Sequence, residues 1–490
     1  MACITTAELR DGILDKGSFI SWDAEPVAVA ASPDYARELA SARMASGHNE
    51  AVLTGEGTVA GRRVAVVVCE FAFLAGSIGV AAAERIVSAI ARATAERLPL
   101  LASPSSGGTR MQEGTVAFLQ MVKITAAVTL HKRSHCPYLV YLRHPTTGGV
   151  FASWGSLGHL TFAEPGALIG FLGPRVYEQL YGESFPRGVQ TAENLYRNGV
   201  IDGVVALADL RSTIDRVLRV LVDPPAIAPK MPRPEAIPDI PAWDCVLASR
   251  RPDRPGVSAL LAQGASDHVL LSGADSGEVS TMLLALATFA GQPAVVVGQR
   301  RLVGGLAGPA ALREARRGMA LAAELRLPLV LVIDTAGPAL SAEAEEGGLA
   351  AEIAHCLADL VTLETATVSV LLGQGSGGPA LAMVPADRVI AAAHGWLAPL
   401  PPEGASAIVF RDTIHAPELA DTQGIRSTDL LAAGIVDMIV PEYPDAAEEP
   451  AAFIGRLATS IAAQLGALSA APADERLAER LERYRRIGLG

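Results

Sequence analysis

Four short segments of the chain end an apolar run with small residues and then open a helical pattern. In the first half they are SSGGTRMQEG (Ser105–Gly114) and HPTTGGVFAS (His144–Ser153); in the second, IDTAGPAL (Ile333–Leu340) and GQGSGGPALA (Gly373–Ala382). Glycine lets a backbone amide approach a ligand closely, and a helix start adds unpaired N–H groups and partial positive charge. Two such turns converging on one carbonyl oxygen would form an oxyanion hole, where one well-placed donor contributes about 2.7–4 kcal/mol to a transition state. The same glycines equally serve tight turns and close packing at strand–helix junctions, and duplication would copy that role too. No side-chain constellation competes. His135, His144 and His159 lack a ligand spacing such as HExxH, and no GxxxxGK[ST] phosphate loop occurs. GSIG (Gly76–Gly79) is too short to specify a nucleotide, and Glu113 and Glu403, beside glycines, read as helix-start partners.

The elements that must carry these turns repeat at an offset of 229 residues. VVVCEFAFLAGSIG (Val66–Gly79) lies over VVVGQRRLVGGLAG (Val295–Gly308), RLPLLASPSSGG (Arg97–Gly108) over RLPLVLVIDTAG (Arg326–Gly337), and Gly148–Gly149 over Gly377–Gly378. Further on, NGVIDGVV (Asn198–Val205) is echoed by AGIVDMIV (Ala433–Val440) after a small insertion. So long a period means a duplicated domain rather than a solenoid. VAVVV at 64–68 and LVLVI at 329–333 read as buried parallel strands, and the alanine-rich stretches Ala82–Leu98 and Ala311–Leu327 as the following helices, giving an α/β fold with right-handed crossovers. Seven prolines between Pro224 and Pro241 mark a semi-rigid linker, so the expected plan is domain 1–223, linker 224–242 and domain 243–490. The tail ADERLAERLERYRRIG places Leu477, Leu481 and Tyr484 on one stripe of an amphipathic helix.

Composition narrows the class. At 490 residues, two domains with cores of their own are expected. A net charge of -12 argues against nonspecific nucleic-acid binding. Pro, Gly and charged residues interrupt each apolar run before membrane-spanning length, and MACITTAELRDG has no secretory pattern. Five scattered cysteines with no CxxC pair support neither a zinc ribbon nor a disulfide framework, so buried free thiols in a cytoplasmic protein are expected.

At the glycine turns the sequence resembles a known family. SSGGTRMQEGTVAFLQMVKITAA and, more closely, PTTGGVFASWGSLGHLTFAEPGALIGFLGPRV (Pro145–Val176) are similar to the β subunit of the bacterial acetyl-CoA carboxylase carboxyltransferase. SRRPDRP (Ser249–Pro255), IDTAGPAL, GQGSGGPALA and PPEGASAI (Pro401–Ile408) resemble its α subunit. The likeness covers about residues 15–465 and reads as a β–α fusion. It implies two tandem crotonase-type ββα-superhelix domains, the first binding acyl-CoA and the second carboxybiotin from a biotin carboxyl carrier protein charged by a biotin carboxylase. It also implies malonyl-CoA-forming chemistry of the fatty-acid type and a homo-oligomer, a dimer or trimer of dimers, with the active site between the first half of one protomer and the second half of another. Carried over by position, Gly148 and Gly149 would hold the thioester enolate, with Gly107 and Gly108 lining that pocket. Gly377 and Gly378 would hold the biotin ureido oxygen with Gly337 nearby, and Gly76, Ser77 and Gly79 would lie beside the CoA surface. Biotin released on decarboxylation would itself take the α-proton, so no catalytic base is required. Two departures stand out: the β subunit's four-cysteine zinc ribbon is missing, so no zinc is expected, and Pro338 and Pro379 follow the second-half glycines where the family favours a residue with a free N–H. Those prolines leave room for two other readings, a decarboxylase of malonyl-type thioesters and a noncatalytic carrier-binding assembly subunit.

Overall fold

A computed structural model describes residues 3–271, 280–302 and 305–489. The chain clusters into two compact units, the first running to Arg219 and the second taking most of the chain from Val220 onward.

The parallel strands of each unit are built onto a hairpin. In the first, Val52–Val59 pairs antiparallel with Arg62–Cys69 through the two-residue turn Ala60–Gly61, both left-handed. In the second, Met282–Phe289 pairs with Gln292–Gln299 through Ala290–Gly291, again both left-handed. Two left-handed residues match the natural twist of the flanking strands, which is why so short a turn closes them. The second hairpin strand then pairs parallel with Leu100–Ser103, followed by Tyr138–Leu142, Leu160–Ala163 and Gly203–Val204. The second unit continues with Leu329–Thr335, Thr367–Ser376, Arg388–Ala392 and Met438–Val440. The runs 64–68 and 329–333 lie inside these buried strands, as their unbroken apolar character requires.

The crossover helices are Val80–Ala95 and Pro309–Leu325. The first buries Ala82, Ile86, Ala89, Ile90 and Ala93, a helical stripe facing the sheet. Both begin and end two or three residues before the expected spans. Arg97 and Arg326 turn left-handed, and the amides of Leu98 and Leu327 bond back to Ala93 and Ala322. Those leucines are the apolar seal beyond a helix end, not its last turn.

The repeat is less rigid than a single offset. It is 229 in the central strands, where Leu100 pairs with Tyr138 and Leu329 with Thr367. In the hairpins it is 230, because Ala65 lies beside Leu100 whereas Val295 lies beside Leu329. In the next strand it is 228: Leu139 meets Leu160, but Val368 meets Arg388. The connecting loops absorb these steps, so the strand register of each unit survives.

The proline-rich segment is extended and strapped to the second unit. Ala226 N–H donates to the Gly291 carbonyl (3.0 Å), Gln292 donates to the Ala226 carbonyl (2.5 Å), and Arg426 holds Asp239 (2.7 Å). Gly291 is needed here, since a Cβ would fall 2.3 Å from that of Ala226.

The tail helix, Ala473–Arg486, corrects the expected stripe. Its buried face carries Arg476 and Arg480, whereas Leu481 is exposed. Arg480 donates to Asp387 (2.7 and 2.9 Å) and to the carbonyls of Leu360, Leu363 and Thr365. The carbonyls gathered where the helix Leu349–Val361 ends attract a planar donor fork more strongly than the core attracts a leucine. Replacing Arg480 by Leu removes the close ion-pair partner of Asp387, which keeps its bonds from Thr367; a loss of about 3 kcal/mol in unfolding free energy is expected by denaturant titration, whereas Leu481→Ser should stay within about 0.5 kcal/mol.

Candidate active site

In the first unit, hydrogen bonds beyond the sheet gather three segments. Ser106 N–H donates to the Pro145 carbonyl (2.7 Å), and Thr147 N–H to the Ser106 carbonyl (2.9 Å). Ile78 N–H reaches the Gly108 carbonyl (2.9 Å), Arg110 N–H returns to the Ile78 carbonyl (3.0 Å), and Gly107 N–H reaches that of Ala75 (2.9 Å). This lacing brings Gly76, Ser77, Gly79, Gly107, Gly108, Gly148 and Gly149 into one neighbourhood. At Gly76 the backbone is left-handed, and a Cβ would fall 2.1 Å from the Ser105 carbonyl. The space above the Gly108 Cα lies 3.6 Å from Gly148 Cα and from Gly149 N.

The amides of these glycines are not equivalent. Gly107 N–H is taken by Ala75, Gly108 N–H by Ser106 Oγ (3.0 Å) and Gly148 N–H by the Phe171 carbonyl (3.0 Å). Gly149 is the second residue of the helix Gly148–Phe151, where no intrahelical acceptor exists, and among the described residues its half-exposed N–H meets no protein acceptor. Of the four expected amides, Gly149 therefore offers the one open donor.

Behind the turns is a buried ionic frame that sequence reasoning missed. Arg110, without exposed side-chain surface, forks onto Glu50 (2.5 and 3.1 Å) and donates to the Ser77 carbonyl (2.8 Å). The Tyr35 hydroxyl donates to Glu113 (2.5 Å), whose other oxygen accepts from Val80 N–H (2.7 Å). Glu113 is thus a helix-start partner, but of the crossover helix rather than of the helix that follows it. Burial and the Glu113 bond push the Tyr35 phenol up to about 12. His144 Nδ1 accepts from Leu168 N–H (3.1 Å) and His159 Nδ1 from Tyr138 N–H (2.9 Å); burial lowers both rings, His159 to about 3. Both act as backbone acceptors. His135 stands in the left-handed turn after the helix Gly114–Arg133.

The second unit repeats three of these bonds. Ala307 N–H donates to the Gly337 carbonyl (3.2 Å), Ala339 N–H to the Ala307 carbonyl (3.0 Å), and Gly337 N–H to Thr335 Oγ1 (3.2 Å). Pro338 stands where the first unit has Thr109, whose N–H the lacing does not use. Pro379 is the third residue of the helix Gly377–Leu381, where an N–H would also lack a helical partner. Both prolines therefore fold without losing a bond, and what they remove are candidate donors. The Pro338 ring also covers Gly377, with Cδ 3.1 Å from where a Cβ would stand. Gly378 N–H is the amide that remains.

Gln299 clasps this second pair of turns, donating to the Pro379 carbonyl (2.9 Å) and accepting from Asp334 N–H (3.1 Å). Asp334 pairs with Arg301 (2.7 Å), accepts from Gln374 N–H (3.1 Å) and lines a cavity of about 460 Å³ with Gln299, Arg250, Arg254 and Arg301. Glu403, in the first turn of the helix Pro402–Val409, pairs bidentately with Arg250 (2.5 and 3.0 Å). His394, Glu442 and Asp445 cluster at ligand distance, but Arg254 sits among the carboxylates (2.5–3.2 Å) and supplies the positive charge itself.

Burial lifts Asp334 from 3.8 to about 6, against the pull of Arg301. The folded chain therefore holds this proton more tightly than the unfolded chain, and the stability tied to it falls as pH rises from about 4 to 6. Comparing unfolding free energies at pH 4.5 and 7.5, the wild type should lose about 2 kcal/mol more than Asp334→Asn.

Comparison with known proteins fits this geometry. The Carboxyl transferase domain family matches residues 7–477. The chain is 73% identical over 492 residues to the "Probable biotin-dependent acyl-coenzyme A carboxylase beta3 subunit" of Mycobacterium tuberculosis, covering 100% of this chain and 99% of that protein. It is 36% identical to the "Acetyl-coenzyme A carboxylase carboxyl transferase subunits beta/alpha" of Salinispora arenicola, over 97% of this chain and 89% of the relative. Among solved structures, transcarboxylase 12S superposes with a TM-score of 0.77 at 20% identity, over 95% of this chain and 90% of that one. A single-chain, multi-domain long-chain acyl-CoA carboxylase gives 0.70 at 19% identity, over 92% and 45%. The fold is accordingly two tandem crotonase-like domains. The chain belongs to the carboxyltransferases of biotin-dependent acyl-CoA carboxylases.

Proposed function

We propose that the open Gly149 amide holds the thioester oxygen of an acyl-CoA as it becomes an enolate, and that the Gly377–Gly378 turn receives the ureido oxygen of carboxybiotin brought by a carrier protein. The observation that carries this reading is the lacing, repeated in both units, that leaves the Gly149 N–H without a protein acceptor beside Gly108. As the C–N bond of carboxybiotin breaks, its electron pair stays on the ureido group. That group takes the α-proton of the thioester, and the enolate carbon bonds the released CO2. The chain supplies donors for two developing oxyanions; no histidine at the turns is placed as a base. Acetyl-CoA or a close homologue is the substrate in this reading, malonyl-type thioesters the product, and the cytoplasm the compartment where carrier and biotin carboxylase are met.

The active site also needs a second protomer in this reading. The helix Gly114–Arg133 exposes Val116, Phe118, Leu119, Val122 and Leu130. Met111–Arg133 is long and apolar enough to cross a membrane, as is Pro450–Ser469, which is mostly buried inside its unit. A salt bridge from Lys123 to Glu84 near the middle of the first helix favours a subunit contact over lipid. The related 12S structure is described as a hexamer.

The decisive assay mixes purified chain, a carboxylated acyl-CoA and free biotin. Biotin-dependent loss of the carboxylated thioester is expected. CO2 release without biotin would favour the decarboxylase reading that Pro338 and Pro379 suggest. Gly149→Pro removes the donor without costing a helical bond and should lower kcat/KM for the thioester about 100- to 1,000-fold; an assembly subunit would tolerate it. Phe118→Asp with Val122→Glu should reduce the sedimenting mass and abolish transfer together.

A further inference from the structure

Ser376 immediately precedes the glycines of the second unit and caps the helix Gly377–Leu381. A serine at this place normally accepts a hydrogen bond from the amide two or three residues on. Here the third helical residue is Pro379, which has no N–H, and the side chain makes no capping bond. Its Oγ is buried and, among the described residues, has no hydrogen-bond partner. Leaving a buried hydroxyl unpaired costs about 1–3 kcal/mol, so such a group calls for a reason.

The duplicated lobes supply that reason. In the first unit, the space above the Gly108 Cα lies 3.6 Å from the Gly149 nitrogen. In the second, the equivalent space above Gly337 has Ser376 Oγ at 3.5 Å, and among the described residues, outside Gly337 and its chain neighbours, no other heavy atom comes within 4 Å. The space that the Thr147 carbonyl (3.5 Å) and the Gly149 amide approach in one lobe is thus approached by the Ser376 hydroxyl in the other. Thr147, the counterpart of Ser376, instead directs its hydroxyl to the Ser106 carbonyl (3.4 Å).

We infer that Ser376 is a catalytic hydrogen-bond donor of the biotin-side hole, its hydroxyl serving with Gly378 N–H where Pro338 and Pro379 have removed amides. This rests on the carboxyl-transfer reading above. The hydroxyl donates to the ureido oxygen as negative charge gathers there and keeps its proton throughout. A hydroxyl also rotates, so it can turn to a ligand oxygen more readily than a fixed amide can.

The test uses the full-length chain, a carboxylated acyl-CoA and free biotin. Ser376→Ala should lower kcat/KM for biotin roughly 10- to 100-fold with KM for the thioester unchanged. Ser376→Thr, which keeps a hydroxyl, should recover most of that rate. The melting temperature of Ser376→Ala should match or exceed the wild type, because no capping bond is lost. Wild-type biotin kinetics in Ser376→Ala, or a threonine variant no better than alanine, would overturn the assignment. A wild-type chain without any biotin-dependent turnover would instead sink the underlying transfer reading.

Discussion

Everything at the candidate site depends on backbone bonds made after the main sheet has ended. A parallel strand pair normally splays beyond its last ladder bond, and the glycine turns would then be ordinary mobile loops. Here the bridge from Ser106 to Thr146, with Ile78 stitched between Gly108 and Arg110, carries pairing past the strand ends. The second unit does the same with Thr335, Gly375, Ala307 and Pro338. Preorganisation is what gives an oxyanion donor its effect, since a donor that must first be ordered loses part of its contribution to that ordering. These bonds also decide which amides remain free. Most glycine N–H groups are consumed in building the turn, and that consumption singles out Gly149.

The two units use different side chains to brace one backbone plan. Behind the first turn stands Arg110 on Glu50, fully buried and bidentate, with Tyr35 and Glu113 beyond it. Ala339 occupies the place of Arg110 in the second unit, and Gln299 with Asp334 and Arg301 takes over the bracing. Cys69, the strand counterpart of Gln299, meets the Ser105 backbone with its thiol, and Gln299 adds a second bond, to the Pro379 carbonyl. Burial raises Asp334 to about 6, so acidity bears on the second unit's turns through this brace.

What could be read from the sequence follows from how local each cause is. The glycine turns were legible in part because some of their positions admit no Cβ: at Gly76 a methyl would strike the Ser105 carbonyl, and at Gly375 the Trp396 carbonyl at 2.6 Å. The core strands were legible from unbroken apolar runs. The Arg110–Glu50 pair was not, because 60 residues separate its members and nothing in either segment signals the other. The tail misled for a related reason. Periodicity assigns leucine to the buried face and arginine to water, but the carbonyls at the end of Leu349–Val361 and the Asp387 carboxylate reverse that preference. The stepped offset was hidden because a one-residue shift within a run of valines changes the pairing without changing the letters.

The prolines show what duplication constrains and what it leaves free. A proline is excluded wherever its N–H would carry a structural bond, which rules out Gly337, whose amide is held by Thr335, and Ala339, whose amide reaches Ala307. Positions 338 and 379 are free of that constraint, because one amide lies outside the lacing and the other in the unpaired first turn of a helix. Amides that build nothing structural are the ones available to a ligand, so the positions most tolerant of proline in the fold are also those where proline most directly changes chemistry. Substitution there leaves the architecture of the second unit intact while altering the donors it presents. The scaffold is thereby kept and the chemistry of one lobe set independently of the other.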